Sequence, residues 1–168
     1  MIYVCSLAAM PDHVRDLRPS HLVTLLGPMD QPATPPEVPA ERHHRVEVHD
    51  ITEPLDGCIL PESHHVAGLI DFLGGWGSAT PLLVHCFAGV SRSTAAALIA
   101  LSLRAEGREA EAARHLRQHA PHAHPNRRIV ALADRLLDRD GRLVAAADAM
   151  GPGDITGDFP LIRLAPLA

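Results

Sequence analysis

Residues 81–107 constrain the fold more than any other part of the chain. The apolar run PLLV at 81–84 is bounded by turn residues and reads as a short, buried central strand. It delivers His85-Cys86-Phe87-Ala88-Gly89-Val90-Ser91-Arg92-Ser93, and from Thr94 the sequence TAAALIALSLRAEG forms helix strongly, with Gly107 suited to the position after its end. A strand, a glycine-containing loop and a helix in that order place the loop at the carboxyl end of the strand and against the first turn of the helix. The apolar positions from Thr94 onward belong to the core rather than to a ligand groove.

The flanking segments extend this into one α/β domain, since 168 residues fill a single core and hardly two. Residues 2–7 and 21–26 (HLVTLL) read as buried strands, with a turn or short helix at 11–18 between them. Residues 28–39 carry Pro28, Pro32, Pro35, Pro36 and Pro39 and read as a surface loop. Residues 45–49 (RVEVH) alternate as a strand, with Asp50 just past its end. Ser63 is a candidate N-cap for a helix carrying Val66, Leu69, Ile70 and Leu73 at helical spacing and stopped by Gly74 and Gly75. Helices are expected over 109–119, 126–140 and 142–150, with Asn126 as an N-cap. The domain spans 1–150, and 151–168 reads as a Gly- and Pro-containing C-terminal tail packed along it.

Composition excludes several functions. All fifteen basic residues are Arg, none is Lys, and the net charge is -5. Binding of nucleic acid or an anionic membrane through a general basic field is therefore not expected. The absence of Lys removes Schiff-base chemistry and the GxxxxGK[ST] nucleotide loop. Three dispersed cysteines, Cys5, Cys58 and Cys86, form neither a disulfide framework nor a CxxC metal pair, and fit a reducing cytoplasm. No apolar stretch reaches the roughly 20 residues of a membrane span. Of the twelve histidines, His115 and His119 stand at i,i+4 with His122 and His124 nearby, but no carboxylate or cysteine completes a metal set, so no metal is expected. His115 and His119 fit a solvent-facing helix surface, and the adjacent pairs His43-His44 and His64-His65 are expected to point apart.

The loop at 85–93 carries the chemistry. A loop entering a helix aims unpaired N–H groups at its own centre, and the helix dipole adds positive charge, so a phosphate can sit there. Gly89 allows the curvature. Arg92 can hold phosphate oxygens with a bidentate guanidinium. The same field favours the thiolate of Cys86, a nucleophile for phosphorus.

HCFAGVSRS is similar to the HCxxGxxR[ST] active-site loop of cysteine-based protein tyrosine phosphatases, and its ending resembles the dual-specificity branch. The resemblance extends over residues 2–137, through Asp50-Ile51 and through QHAPHAHPN at 118–126, similar to a family segment ending in Pro-Asn. It implies a central, mostly parallel sheet of four or five strands flanked by helices. It further implies a cysteinyl-phosphate intermediate on Cys86, phosphoryl binding by Arg92 and by the backbone of Phe87, Ala88, Gly89, Val90, Ser91 and Arg92, and no cofactor. His85 would support loop and thiolate, and Ser93 would donate to the departing sulfur. Asp50 matches the family's general acid, with Glu53 and Asp56 on the same loop as alternatives; Asp71 lies in a helix. Cys58 follows Gly57 in that region, either as a half-buried bystander or as an oxidation partner of Cys86. Asn126 would, by the resemblance, brace the loop, and Arg127 and Arg128 would extend a positive rim.

The expected activity is phosphomonoester hydrolysis on a phosphorylated partner, a protein or small aryl phosphate, because the loop side chains are neutral. A phosphate-binding pseudophosphatase, an inositol phosphate phosphatase, or a sulfurtransferase or arsenate-reducing thiol enzyme are the competing classes.

Overall fold

The computed structural model describes residues 1–167. Its strands are β1 (Ile2–Ser6), β2 (His21–Leu26), β3 (His43–Glu47), β4 (Leu82–Cys86) and β5 (Ile162–Leu164). Its α-helices are α1 (Met10–Leu17), α2 (Ser63–Gly75), α3 (Arg92–Ser102), α4 (Glu109–His119), α5 (Arg127–Leu136) and α6 (Arg142–Ala149). The five strands lie in the order β3-β2-β4-β1-β5. The first four pair in parallel and β5 runs antiparallel to β1, so the sheet is mostly parallel, as the family resemblance implies.

Alternation along the strands divides the core. Ile2, Val4, Val23, Leu25, Leu82 and Val84 pack under the layer built from α2 to α6. Cys5, Leu22 and Leu83 face the other way, onto Met10 and Val14 of α1 and onto Val38 from the proline-rich loop. By the same alternation Thr24 and His85 belong to this second face. Helix α3 is buried along its whole length, and the small side chains of Ala95, Ala96, Ala97 and Ala100 let it sit deep in the core. A helix apolar all round has no solvent face to rotate outward, so its N-terminus is fixed beside the end of β4.

Several boundaries differ from the sequence reading. Strand β3 is shifted to His43–Glu47, because β2 ends at Leu26, opposite Glu47, and His49 N–H donates to Ile59 O rather than to the sheet. Glu62, not Ser63, is the N-cap of α2, with its N–H donating to Nδ1 of His65 at 3.1 Å. That return of His65 brings its ring within 3.8 Å of His64, so this pair does not point apart. Helix α3 already starts at Arg92 and ends at Ser102; Gly107, at φ +78°, belongs to the turn before α4. Helix α5 stops at Leu136, short of 140, because Asp134 accepts N–H groups from Gly141, Leu143 and Val144 and caps α6 instead.

The segment after 150 returns along the domain, with Asp154 N–H donating to Pro121 O, and supplies β5. Ile162 and Leu164 are buried there while Arg163 points out. Ile162→Ala and Leu164→Ala should each lower unfolding free energy by about 2–5 kcal/mol, the usual cost of a buried aliphatic truncation. Urea denaturation checks this, and a loss below about 0.5 kcal/mol would show that 151–168 is dispensable to the domain.

Candidate active site

The loop after β4 is shaped by where its carbonyls go. Phe87 O accepts from Leu7 N–H, Val90 O from His124 N–H and the Thr94 hydroxyl, and Ser91 O from Asn126 N–H, Ala95 N–H and the Thr94 hydroxyl. All three carbonyls are thus held by elements outside the loop. Among the described residues, the N–H groups of Phe87, Ala88, Gly89, Val90 and Ser91 donate to no protein acceptor. A run of unpaired amides at a helix start is a site for an oxyanion.

Gly89 makes that turn possible. Its φ is +79°, and a Cβ there would lie 2.8 Å from the backbone carbon of Cys5, so both conformation and space require glycine. Ser91 occupies the N-cap of α3 yet makes no capping bond. Its hydroxyl donates to Asp50 Oδ1 at 2.7 Å instead, which leaves the first N–H groups of α3 open to a ligand.

Cys86 is buried at the end of β4, with Sγ 3.1 Å from Ser93 Oγ. Arg92 is 7% exposed; its Nη1 donates to Val48 O at 2.9 Å, and its Nε lies 4.0 Å from Asp50 Oδ2. The structure therefore gathers Cys86, Arg92, Ser93 and Asp50 around one loop. Asp50 Oδ1 also accepts from Asn126 Nδ2 at 2.8 Å, while Asn126 Oδ1 accepts from Arg128 N–H and Ile129 N–H. Asn126 therefore both caps α5 and braces Asp50.

The strand-to-helix connection bearing Asp50 is pinned at its base. His49 N–H donates to Ile59 O at 2.9 Å, and Ile59 N–H donates back to His49 Nδ1 at 2.8 Å. Arg128 donates to Pro61 O at 2.6 Å and Thr52 O at 3.4 Å, so it braces this connection rather than a phosphate rim. Arg127 pairs with Asp148 at 3.0 Å and lines a groove of about 700 Å³ beside the loop, together with Asp50, Glu53, Leu55 and Ser91. Asp56 and Cys58 line a different groove with His64 and His65. Of the candidate acids, Asp50 alone bonds to the loop, Glu53 shares its groove, and Asp56 faces elsewhere.

His85 lies on the opposite sheet face, fully buried. Its Nε2 is 2.7 Å from Thr24 Oγ1, which is itself 2.8 Å from Nε2 of His43. Burial pushes His85 from the ordinary 6.5 down to about 4; the neighbouring Cys86 backbone opposes this and the charge of Arg92 adds to it. Burial likewise pushes His43 down to about 4, with Arg45, His85 and His44 acting in the same direction. Sequence reasoning missed Thr24 and His43; a polar residue inside HLVTLL was the available signal. Buried Cys5 is pushed up to about 12 by desolvation and by Cys86. His115, half-buried, meets Ala165 O at 3.1 Å, its ring lies 4.5 Å from that of His119 at a tilt of 58°, and no cluster able to hold a metal occurs among the described residues.

The fold is that of the protein tyrosine and dual-specificity phosphatases. The sequence matches no protein-family model and no curated protein. Among solved structures, the Cydia pomonella PTP-2 phosphatase is 22% identical with a TM-score of 0.60, over 80% of this chain and 84% of that one. Human DUSP28 is 20% identical with a TM-score of 0.59, over 82% of this chain and 88% of that one. DUSP15 is 18% identical with a TM-score of 0.59, over 89% of this chain and 87% of that one. No helix of the described residues is long and apolar enough to cross a membrane.

The two buried imidazoles set a pH dependence. Each is near 4 when folded against 6.5 ordinarily, so between those values the unfolded chain takes up protons that the folded chain excludes. Stability should fall as pH drops from about 6.5 toward 4. Urea midpoints measured across this range check it, and His43→Gln should flatten the slope; a wild-type midpoint that is constant over the window contradicts it.

Proposed function

We propose that this chain is a cysteine-dependent phosphomonoester hydrolase of the protein tyrosine or dual-specificity type. The observation that carries the reading is the loop of free amides between Cys86 and Arg92, with the carbonyls of Phe87, Val90 and Ser91 bound by neighbouring elements. Such a cradle favours charge on three equatorial phosphoryl oxygens, the charge distribution of a phosphoryl-transfer transition state.

In the first step Cys86 Sγ attacks phosphorus, the S–P bond forms, and the ester P–O bond breaks. Asp50, protonated, gives its proton to the leaving oxygen. In the second step Asp50, now a carboxylate, takes a proton from water; the water oxygen attacks phosphorus and the S–P bond breaks. Ser93 donates to the departing thiolate, and inorganic phosphate is released. Arg92 holds the phosphoryl oxygens throughout. Ser91 and Asn126 aim Asp50 at the loop by holding Oδ1, leaving Oδ2 beside the phosphoryl site.

The substrate class follows from the rim. Phe87 is 64% and Leu55 59% exposed, and no cationic side chain projects from the loop other than Arg92. An apolar, weakly charged rim suits an aryl phosphate such as phosphotyrosine on a protein better than a polyanionic inositol phosphate.

Turnover of p-nitrophenyl phosphate at mildly acidic pH tests the reading: Cys86→Ser should abolish it while vanadate still binds, and Arg92→Ala should weaken both. Asp50→Asn should lower kcat by about 10²–10⁴ for poor leaving groups and much less for p-nitrophenol. Loss of that size in Glu53→Gln or Asp56→Asn, with Asp50→Asn active, would overturn the acid assignment. No turnover by the wild type would overturn the enzyme reading.

A further inference from the structure

The connection that carries Asp50 has two sides. On the near side it lines the groove of about 700 Å³ beside the phosphate loop, with Glu53, Leu55, Ser91 and Arg127. On the far side it lines another of about 560 Å³, with Asp56, Cys58, Ile59 and Glu62. Pro54 and Leu55 belong to both. The two grooves therefore meet across this ridge and together form a trough that leads outward from Ser91 toward the start of α2.

The trough is held in shape by the protein itself. Its base is closed by the bond from His49 N–H to Ile59 O and by Arg128, which donates to Thr52 O and Pro61 O. Cys58 N–H donates to Leu55 O at 3.0 Å, and Gly57, at φ +77°, completes that turn. Asp56 thus stands at the tip of a closed turn. A surface fixed in this way has little ordering entropy left to lose when a ligand settles on it.

The chemistry of the trough is apolar and anionic. Leu55 is 59% and Ile59 36% exposed, two large aliphatic side chains left uncovered on one short connection. Glu53 and Asp56 are exposed and make no hydrogen bond or ion pair among the described residues. The neighbouring charges are engaged: Asp50 by Ser91 and Asn126, and Arg127 by Asp148 at 3.0 Å. Glu62 lies 3.6 Å from His64 Nδ1. Positive charge returns beyond Glu62 and His64, where Arg128 and Arg135 line the next depression. The surplus along the trough is therefore negative, which opposes nucleic acid and anionic headgroups and favours a cation.

We propose that this trough binds the extended segment flanking the phosphorylated residue of a protein substrate, with an apolar side chain against Leu55 and Ile59 and an Arg or Lys beside Glu53 and Asp56. The proposal rests on the reading of Cys86 and Arg92 as a phosphatase centre, and it narrows the substrate to phosphoproteins that are basic next to the phosphorylated residue. An extended chain suits the site because its side chains alternate: one residue rests on the ridge while the next turns its charge toward the carboxylates.

The experiment uses the full chain and phosphotyrosine peptides whose N-terminal or C-terminal flank carries Leu with Arg, or Leu with Asp. On one flank the Arg peptide should be hydrolysed with a kcat/KM on the order of fivefold above its Asp counterpart, the size of one or two exposed ion pairs. That ratio should shrink toward one in high salt. Asp56→Arg should cancel the ratio, and Ile59→Ser should lower kcat/KM for the Leu-containing peptides, each relative to p-nitrophenyl phosphate turnover by the same variant. Binding is read separately in Cys86→Ser: the Arg peptide should slow iodoacetamide alkylation of Cys58, which lines the trough, and the Asp peptide should not. Equal kcat/KM for Arg and Asp peptides on both flanks, a ratio unchanged in Asp56→Arg, or equal protection of Cys58 by both peptides would overturn the proposal. Protection that grows with protein concentration in the absence of peptide would also overturn it, assigning the trough to a second copy of this chain. Failure of the underlying reading looks different: the wild type would turn over neither p-nitrophenyl phosphate nor any peptide, and the proposal would fall with it.

Discussion

The loop after β4 offers its amides to a ligand because three of its carbonyls, those of Phe87, Val90 and Ser91, are bound elsewhere. Leu7 N–H holds Phe87 O, His124 N–H holds Val90 O, and Asn126 N–H holds Ser91 O. Those donors come from the β1–α1 connection and from the segment leading into α5, so the cradle is assembled by distant parts of the chain. A backbone turned outward in this way would otherwise expose or bury unpaired carbonyls, and the loop would relax to satisfy them. The close approach of Gly89 to Cys5 is part of the same arrangement, because the loop can reach Leu7 only by crossing the end of β1.

That dependence explains how helices so far from the chemistry matter to it. Helix α3 is buried on all sides and cannot pivot, so its first turn stays under the loop. Asn126 joins three functions in one side chain and backbone: it caps α5, holds Asp50 and pins Ser91 O. The candidate site therefore has one mechanical frame, in which the connection bearing Asp50, the loop after β4 and α5 are bonded to one another.

The sequence carried the local parts of this account. Cys86, Arg92 and Ser93 sit within one short motif, and the order strand, loop, helix follows from periodicity, so their meeting was legible. The bounds of α4 and the capping role of Asn126 were legible for the same reason. What was not legible depends on strand register or on short elements. Thr24 meets His43 and His85 across 19 and 61 residues, and only parallel pairing of β2 with β3 and β4 brings them together. Strand β5 is three residues long among Gly and Pro, too short for alternation to register. Ser91 reads as an ordinary helix cap, and its donation to Asp50 could be found only in three dimensions.

The central claim is that Cys86 attacks phosphorus within this cradle. Rapid-quench reaction with an aryl phosphate, followed by mass spectrometry of the Cys86 peptide, tests it most directly. The account predicts a phosphoryl group on Cys86 that forms and decays at rates consistent with turnover and accumulates in Asp50→Asn. Turnover without any phosphorylated Cys86, or phosphorylation retained in Cys86→Ser, would contradict it.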